Sequence, residues 1–244
     1  MIALTNNTIL RIWELAQQQH PVDQAITILY KAFSDKTWDE LVRLPIGDRN
    51  NFLLDIREVT FGKELSGTAK CTECDEKMEF IADVNELRSG SDAKKKQEVY
   101  EAIFGHYKIR LRLINSLDLA AAAGCPDADS GGKLLAQRVI LKLIHNNTEI
   151  SADKLPDETL SVISEKLAKA DPGANMNIDM KCPECSKVLS MPFDIVSFFW
   201  KEIDAQAKRL LREVNVLARF YGWMEADILA MSAVRRYHYM ESIG

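Results

Sequence analysis

Basic residues are in the minority, cysteines are few, and long apolar runs are missing from this 244-residue chain. Lys and Arg number 31 against 36 Asp and Glu, a formal charge of −5 at pH 7. That balance argues against a nucleic-acid binder working through a basic surface. Five cysteines cannot make the disulfide scaffold of a small secreted domain. No apolar run of roughly 18 residues occurs, which argues against a membrane-spanning helix. Met1 to Asn7 lacks a basic start, and Asn6, Asn7 and Arg11 interrupt any signal-like stretch. The expected location is therefore the cytoplasm, where thiols stay reduced.

Catalytic signatures are also missing. No GxxxxGK[ST], GxGxxG, GxSxG or HExxH pattern is present. Gly131-Gly132-Lys133 has no strand feeding it as a phosphate loop would require. His20, His106, His145 and His238 are scattered without ligand spacing. No small-molecule substrate is implied, and the expectation is a protein that is not an enzyme. With 47% hydrophobic and 27% charged residues, the chain has the composition of an ordinary globular protein with a substantial core.

What is there is concentrated in four cysteines. Cys71-Thr-Glu-Cys74 and Cys182-Pro-Glu-Cys185 form two CxxC pairs, and Cys125 stands alone. Leu65, Gly67 and Ala69 alternate with polar residues before the first pair, and Met78, Phe80, Ala82 and Val84 alternate after it. Met176, Ile178 and Met180, then Leu189, Met191, Phe193 and Ile195, do the same around the second. Each set predicts a β-hairpin with CxxC at its turn. The flanks Phe80…Asp83-Val84 and Phe193-Asp194-Ile195 match as well, which suggests an internal duplication or two convergent halves of one site. A two-residue gap lets both sulfurs of a pair face one tetrahedral ion. The 107 residues between Cys74 and Cys182 exceed the ~15–20 of a compact zinc ribbon, but doubling a loop adds only about 0.6 kcal/mol. One shared structural zinc held by Cys71, Cys74, Cys182 and Cys185 is the leading reading. Redox dithiols and metal-free core cysteines are the others. A closed four-thiolate shell leaves no open position for substrate.

The remaining periodicity predicts an α+β, mostly helical fold in which the two hairpins form a split zinc-ribbon-like element. Residues 1–62 read as four short helices: one capped by Thr8, one opened by Pro21, one with a Thr37/Glu40 capping box, and one capped by Asp48 and ending near Gly62. Residues 63–90 hold the first hairpin and 175–195 the second. Residues 91–174 form a mixed insertion, with a charged stretch at Ser91–Glu101 that includes Lys94-Lys95-Lys96. Within it, Tyr107–Leu113 reads as a strand with Lys108, Arg110 and Arg112 on one face, either a solvated face or a docking surface for an acidic partner. Leu117–Ala123, Leu134–Ile144 and Pro156–Ala170 read as helices. Residues 196–244 are helical, led by an Asp194-capped helix to about Phe220, with Ser232 capping the last helix. One domain overall is expected.

Beyond these patterns, the run Leu53-Leu54-Asp55-Ile56-Arg57-Glu58-Val59-Thr60-Phe61-Gly62, the first CxxC and Met78-Glu79-Phe80 resemble baseplate hub assembly proteins (chaperones) of contractile-tailed phages and related contractile injection systems. Phe193-Asp194-Ile195, Phe199-Trp200, Arg212-Glu213-Val214, Ala218 to Glu225 and Asp227 to Ala230 extend the likeness, as do Arg235-Arg236 and Tyr239. The resemblance implies an assembly factor or baseplate component that binds hub, tape-measure or spike proteins, made in the host cytoplasm and either retained in the particle or released. Trp200, Tyr221, Trp223, Arg235 and Arg236 are the candidate docking residues, since Trp, Tyr and Arg are common interface anchors. Oligomerisation stays open. A zinc-ribbon binder of nucleic acid or of transcription complexes, kept open by Lys108, Arg110 and Arg112, is the alternative function. A thiol oxidoreductase is a third, although its CxxC would sit at a helix N-terminus.

Overall fold

The computed structural model describes residues 2–88 and 97–243; the predicted Lys94–Lys96 run lies outside them. Helices α1 (Asn6–Ala16), α2 (Pro21–Ala32), α3 (Trp38–Val42) and α4 (Ile46–Phe61) open the chain. Pro21 begins α2 because its missing N–H is one of the four donors that a helix start leaves unpaired anyway. The Thr37/Glu40 capping box forms, with the Glu40 carboxylate accepting from the Thr37 N–H at 2.7 Å. Two expected caps are corrected. Thr5, not Thr8, caps α1, accepting from the Thr8 N–H. α4 starts at Ile46 behind Pro45, with Asp48 inside its first turn.

The long helix α9 (Ile195–Tyr221), about 40 Å at 1.5 Å per residue, lies against α1, α2 and α4. Its stripe of Phe199, Ile203, Ala207 and Leu210 is fully buried with Ile12, Ile28, Leu29, Leu53 and Ile56. This is the main core. Gly222 ends α9 at φ 70°, the left-handed cap that glycine takes without strain. Two short helices follow, α10 (Glu225–Ala230) and α11 (Ala233–Glu241), the latter capped by Ser232 as expected.

A second core sits under an antiparallel sheet of four strands in chain order: β3 (Tyr100–Phe104), β4 (Tyr107–Leu111), β5 (Ile140–His145) and β6 (Thr148–Ile150). α6 (Ser116–Ala123) follows β4, and α7 (Ala128–Val139) and α8 (Leu160–Ala170) pack on the sheet through Ala136, Val139, Ile163 and Leu167. The helix expected over Leu134–Ile144 is therefore half strand: α7 ends at Val139 and Ile140 starts β5. Residues 140–144 carry apolar side chains at both helical and strand spacing, and the open edge of β4 decides. The expected helix from Pro156 begins only at Leu160, after a single tight turn. Lys108 and Arg110 stay exposed on β4, but Arg112 leaves the row and binds Asp118 at 2.6 Å.

The start of α4 joins the two cores. The Ile46 N–H donates to Ile114 O at 3.0 Å, Gly47 N–H to Asp171 Oδ2 at 2.8 Å, and Asn50 Nδ2 to Gly173 O at 3.1 Å. A Cβ on Gly47 would lie 2.1 Å from Asp171 Oδ1, so the close approach requires glycine.

Candidate metal centre

Each CxxC sits at the turn of its own two-stranded hairpin. β1 (Glu64–Lys70) pairs with β2 (Lys77–Asp83), and β7 (Asn177–Lys181) with β8 (Val188–Pro192). The two turns use the same bonds. Cys71 N–H donates to Glu76 O and Cys182 N–H to Lys187 O, both at 2.8 Å. Asp75 N–H then returns to Cys71 O, and Ser186 N–H to Cys182 O. The residue after each second cysteine, Asp75 or Ser186, is left-handed at φ 59° and 58°, an uncommon conformation off glycine that both turns share. The likeness reaches past the strands. Asp83 accepts from the Asn85 N–H to start the short helix α5 (Val84–Leu87), and Asp194 accepts from the Val196 N–H to start α9. Phe80 and Phe193 both pack against the main core.

The two turns meet. Cys71 Sγ lies 3.6 Å from Cys185 Sγ, and Cys74 Sγ 3.6 Å from Cys182 Sγ. All four sulfurs fall within 4.8 Å of one another, and none is in a disulfide. A tetrahedron with metal–sulfur bonds of about 2.3 Å has edges of about 3.8 Å, so the donor set fits a zinc-sized ion. Each turn supplies one buried sulfur (Cys71, Cys182) and one exposed (Cys74, Cys185). Buried Met78 and Leu189, with Ala69, Met180 and Met191, complete a small apolar shell. Leu65, Ala82, Phe80 and Ile178 anchor the far ends of the hairpins on the main core, but at the turns two buried side chains worth about 1.5–3 kcal/mol each are little to hold together two hairpins, each marginal alone. A covalent or ionic tie between them is what such a construction needs.

The thiols share charge unevenly. Backbone N–H groups of Glu73 and Cys74 hold the Cys71 thiol down to about 7. The Glu76 N–H pulls on Cys74, yet burial and its three neighbouring thiols push it up to about 12. Cys185 is raised likewise, against the pull of the Lys187 N–H, by burial and by Cys182 and Cys71. Four thiolates repel one another, and a divalent cation at the centre reverses that repulsion. Lys187 and Glu73 reach across the two turns at 3.3 Å, both half exposed, a contact of little strength.

The other candidate residues are divided between two places. Trp200, half-buried in the first part of α9, packs on the main core. Tyr221 and Trp223 stack at 4.4 Å and 13°, Tyr239 meets both rings edge-on, and Arg235 lies over Tyr239 at 5.7 Å. Arg236 turns inward instead. It is 1% exposed, with Nε on Glu213 Oε2 at 2.6 Å and Nη1 on Met231 O. Its charge serves the join between α9 and α11. Tyr239 belongs to the aromatic group but was not among the candidate docking residues; its i, i+4 spacing from Arg235 is the signal that could have placed it there. Cys125 lies at the entrance to α7, outside the four-sulfur group.

Among the described residues, no helix is long and apolar enough to cross a membrane. No curated protein and no solved structure matches the chain. A family model described as T4 bacteriophage base plate protein matches residues 9–200. That span holds both CxxC hairpins, the second core, most of the main core and the start of α9, more than three quarters of the sequence, and the chain belongs to that family of phage baseplate proteins.

Proposed function

We propose that this chain is a non-enzymatic assembly factor or structural component of the baseplate hub of a contractile tail or injection system, with one structural zinc on Cys71, Cys74, Cys182 and Cys185. The family match carries the baseplate assignment, and the four converging sulfurs support the metal. Zinc clips residues 63–90 to residues 175–195 in a split ribbon, and residues 91–174 stand out as an insertion. When bound, it supplies cross-linking and no reactive position, since four thiolates fill a tetrahedral shell. The partners are hub, tape-measure or spike proteins, met in the cytoplasm of the host cell. The ring cluster of Tyr221, Trp223 and Tyr239, beside Arg235 and the 59% exposed Phe220, is the docking patch on this reading; apolar rings with one cation are typical anchors.

Two measurements test it. Gel filtration of the chain mixed with each candidate baseplate protein should give a stable complex, and mass spectrometry of purified particles then decides between retention and release. Elution alone from every hub, tape-measure and spike protein contradicts the proposal. Elemental analysis should give one zinc per chain, lost in both Cys71→Ser and Cys182→Ser. Two variants that each keep a full zinc rule out a shared site.

A further inference from the structure

β2 and β7 face one cavity without pairing. They belong to different sheets, yet four consecutive residues of each, Glu79–Ala82 and Asn177–Met180, line one cavity of about 390 Å³. Side chains alternate across a strand, so a run containing both parities can line one space only if the backbone edge faces it. The register agrees. Cys71 with Glu76 and Val84 with Lys63 mark the hydrogen-bonded pairs of the first hairpin, so Glu79 and Ile81 direct N–H and C=O away from β1. Cys182 with Lys187 and Met176 with Phe193 do the same for the second, leaving Asn177 and Asp179 directed away from β8. Pro192 sits opposite Asn177, where no ladder donor is required.

Among the described residues neither outward edge has a backbone partner, and the two edges flank one slot. β2 runs away from its cysteine pair and β7 towards its own, so a strand between them would be antiparallel to one and parallel to the other. The charge of the slot selects its occupant. Glu79, Glu86 and Asp179 line it, and among the described residues no Lys, Arg or His does. Ile81, 73% exposed, offers an apolar contact beside them.

We infer that this slot takes an extended, basic segment of a partner polypeptide by strand addition, giving a five-stranded sheet in the order β1, β2, partner, β7, β8. The inference rests on the clip proposed above, which holds the two hairpins at a fixed spacing. Main-chain bonds supply affinity and the three carboxylates supply preference. Unpaired edges of this sort invite such additions.

The probe is a fluorescent eight-residue peptide of alternating Lys and Val, titrated into the zinc-loaded full chain. It should bind, while an alternating Glu and Val peptide does not. Ile81→Pro and Asp179→Pro remove outward N–H groups that the hairpins do not use, and each should weaken binding by about tenfold, one backbone hydrogen bond lost with its acceptor left unmet. Zinc content and melting temperature, measured alongside, show that the hairpins persist. Glu79→Lys with Asp179→Lys should transfer the preference to the acidic peptide. No binding of the basic peptide up to about 1 mM, or binding untouched by both proline variants in zinc-loaded protein, overturns the inference. A concentration-dependent dimer that Ile81→Pro abolishes assigns the slot to a second copy and overturns it too. Wild-type protein without zinc that still binds the peptide at this edge contradicts the metal and not the slot; zinc-loaded protein that ignores the peptide contradicts the slot alone.

Discussion

Asp118 holds two arginines at once. Its side chain is fully buried, with Arg112 at 2.6 Å, Arg138 at 2.9 Å and the Asn115 N–H at 3.1 Å. Burial alone would raise its pKa, but Arg112 and the Asn115 N–H outweigh it and keep the carboxyl below its ordinary value. A carboxylate depressed on folding adds stability above its unfolded pKa, about 3.9, and loses it as acid titrates through the folded value. Asp118→Asn should therefore lower stability at pH 7 by about 1–3 kcal/mol and flatten the fall as the pH drops below about 4. Urea unfolding across that range checks both, and an unchanged acid slope contradicts the assignment. Arg235 and Arg236 differ just as sharply. Arg236→Ala strips Glu213 of its buried partner and should cost about 3 kcal/mol, whereas exposed Arg235→Ala should stay within about 0.5 kcal/mol. Similar melting temperatures for the two variants would contradict that division. Nothing in a pair of adjacent arginines tells which faces inward; the phase of α11 against α9 decides it.

At the scale of elements, local chemistry is legible and pairing is less so. The Thr37 capping box, Pro21 at a helix start, the Asp194 cap of α9 and the turns at both CxxC pairs all follow from a few neighbouring residues. β5 does not. Ile140–Ile144 suits helix or strand, and β4, earlier in the chain, together with the short β6 after it supplies the ladders that make it a strand. β3 was hidden by the charged stretch before it, and β6, three residues long, is too short to show alternation. The four sulfurs were readable as a set because spacing, flanks and turn chemistry repeat; their actual approach, 3.6 Å across the pairs, was not. At the join of the cores, Gly47→Ala should destabilise by about 1–3 kcal/mol, because its methyl group would run into Asp171 and the backbone N of Ala174, 3.1 Å away. A melting temperature equal to wild type would mean that the turn of residues 172–174 yields freely.

At the scale of the whole molecule, the described residues form two apolar cores and a sulfur-lined third, linked through α4 and the two hairpins. The first two hold without metal, since each is built from packed helices or from a four-stranded sheet under helices. The third has too little apolar surface for that. Chelation should thus loosen the hairpins first, with hydrogen exchange rising over Glu64–Asp83 and Asn177–Pro192 while α1, α2, α4 and α9 stay protected. X-ray absorption at the zinc edge, on protein purified without added metal, tests the central claim most directly. The account requires one zinc per chain with four sulfur neighbours at about 2.3 Å. A chain that carries no metal, or a zinc whose shell contains nitrogen or oxygen in place of sulfur, contradicts it.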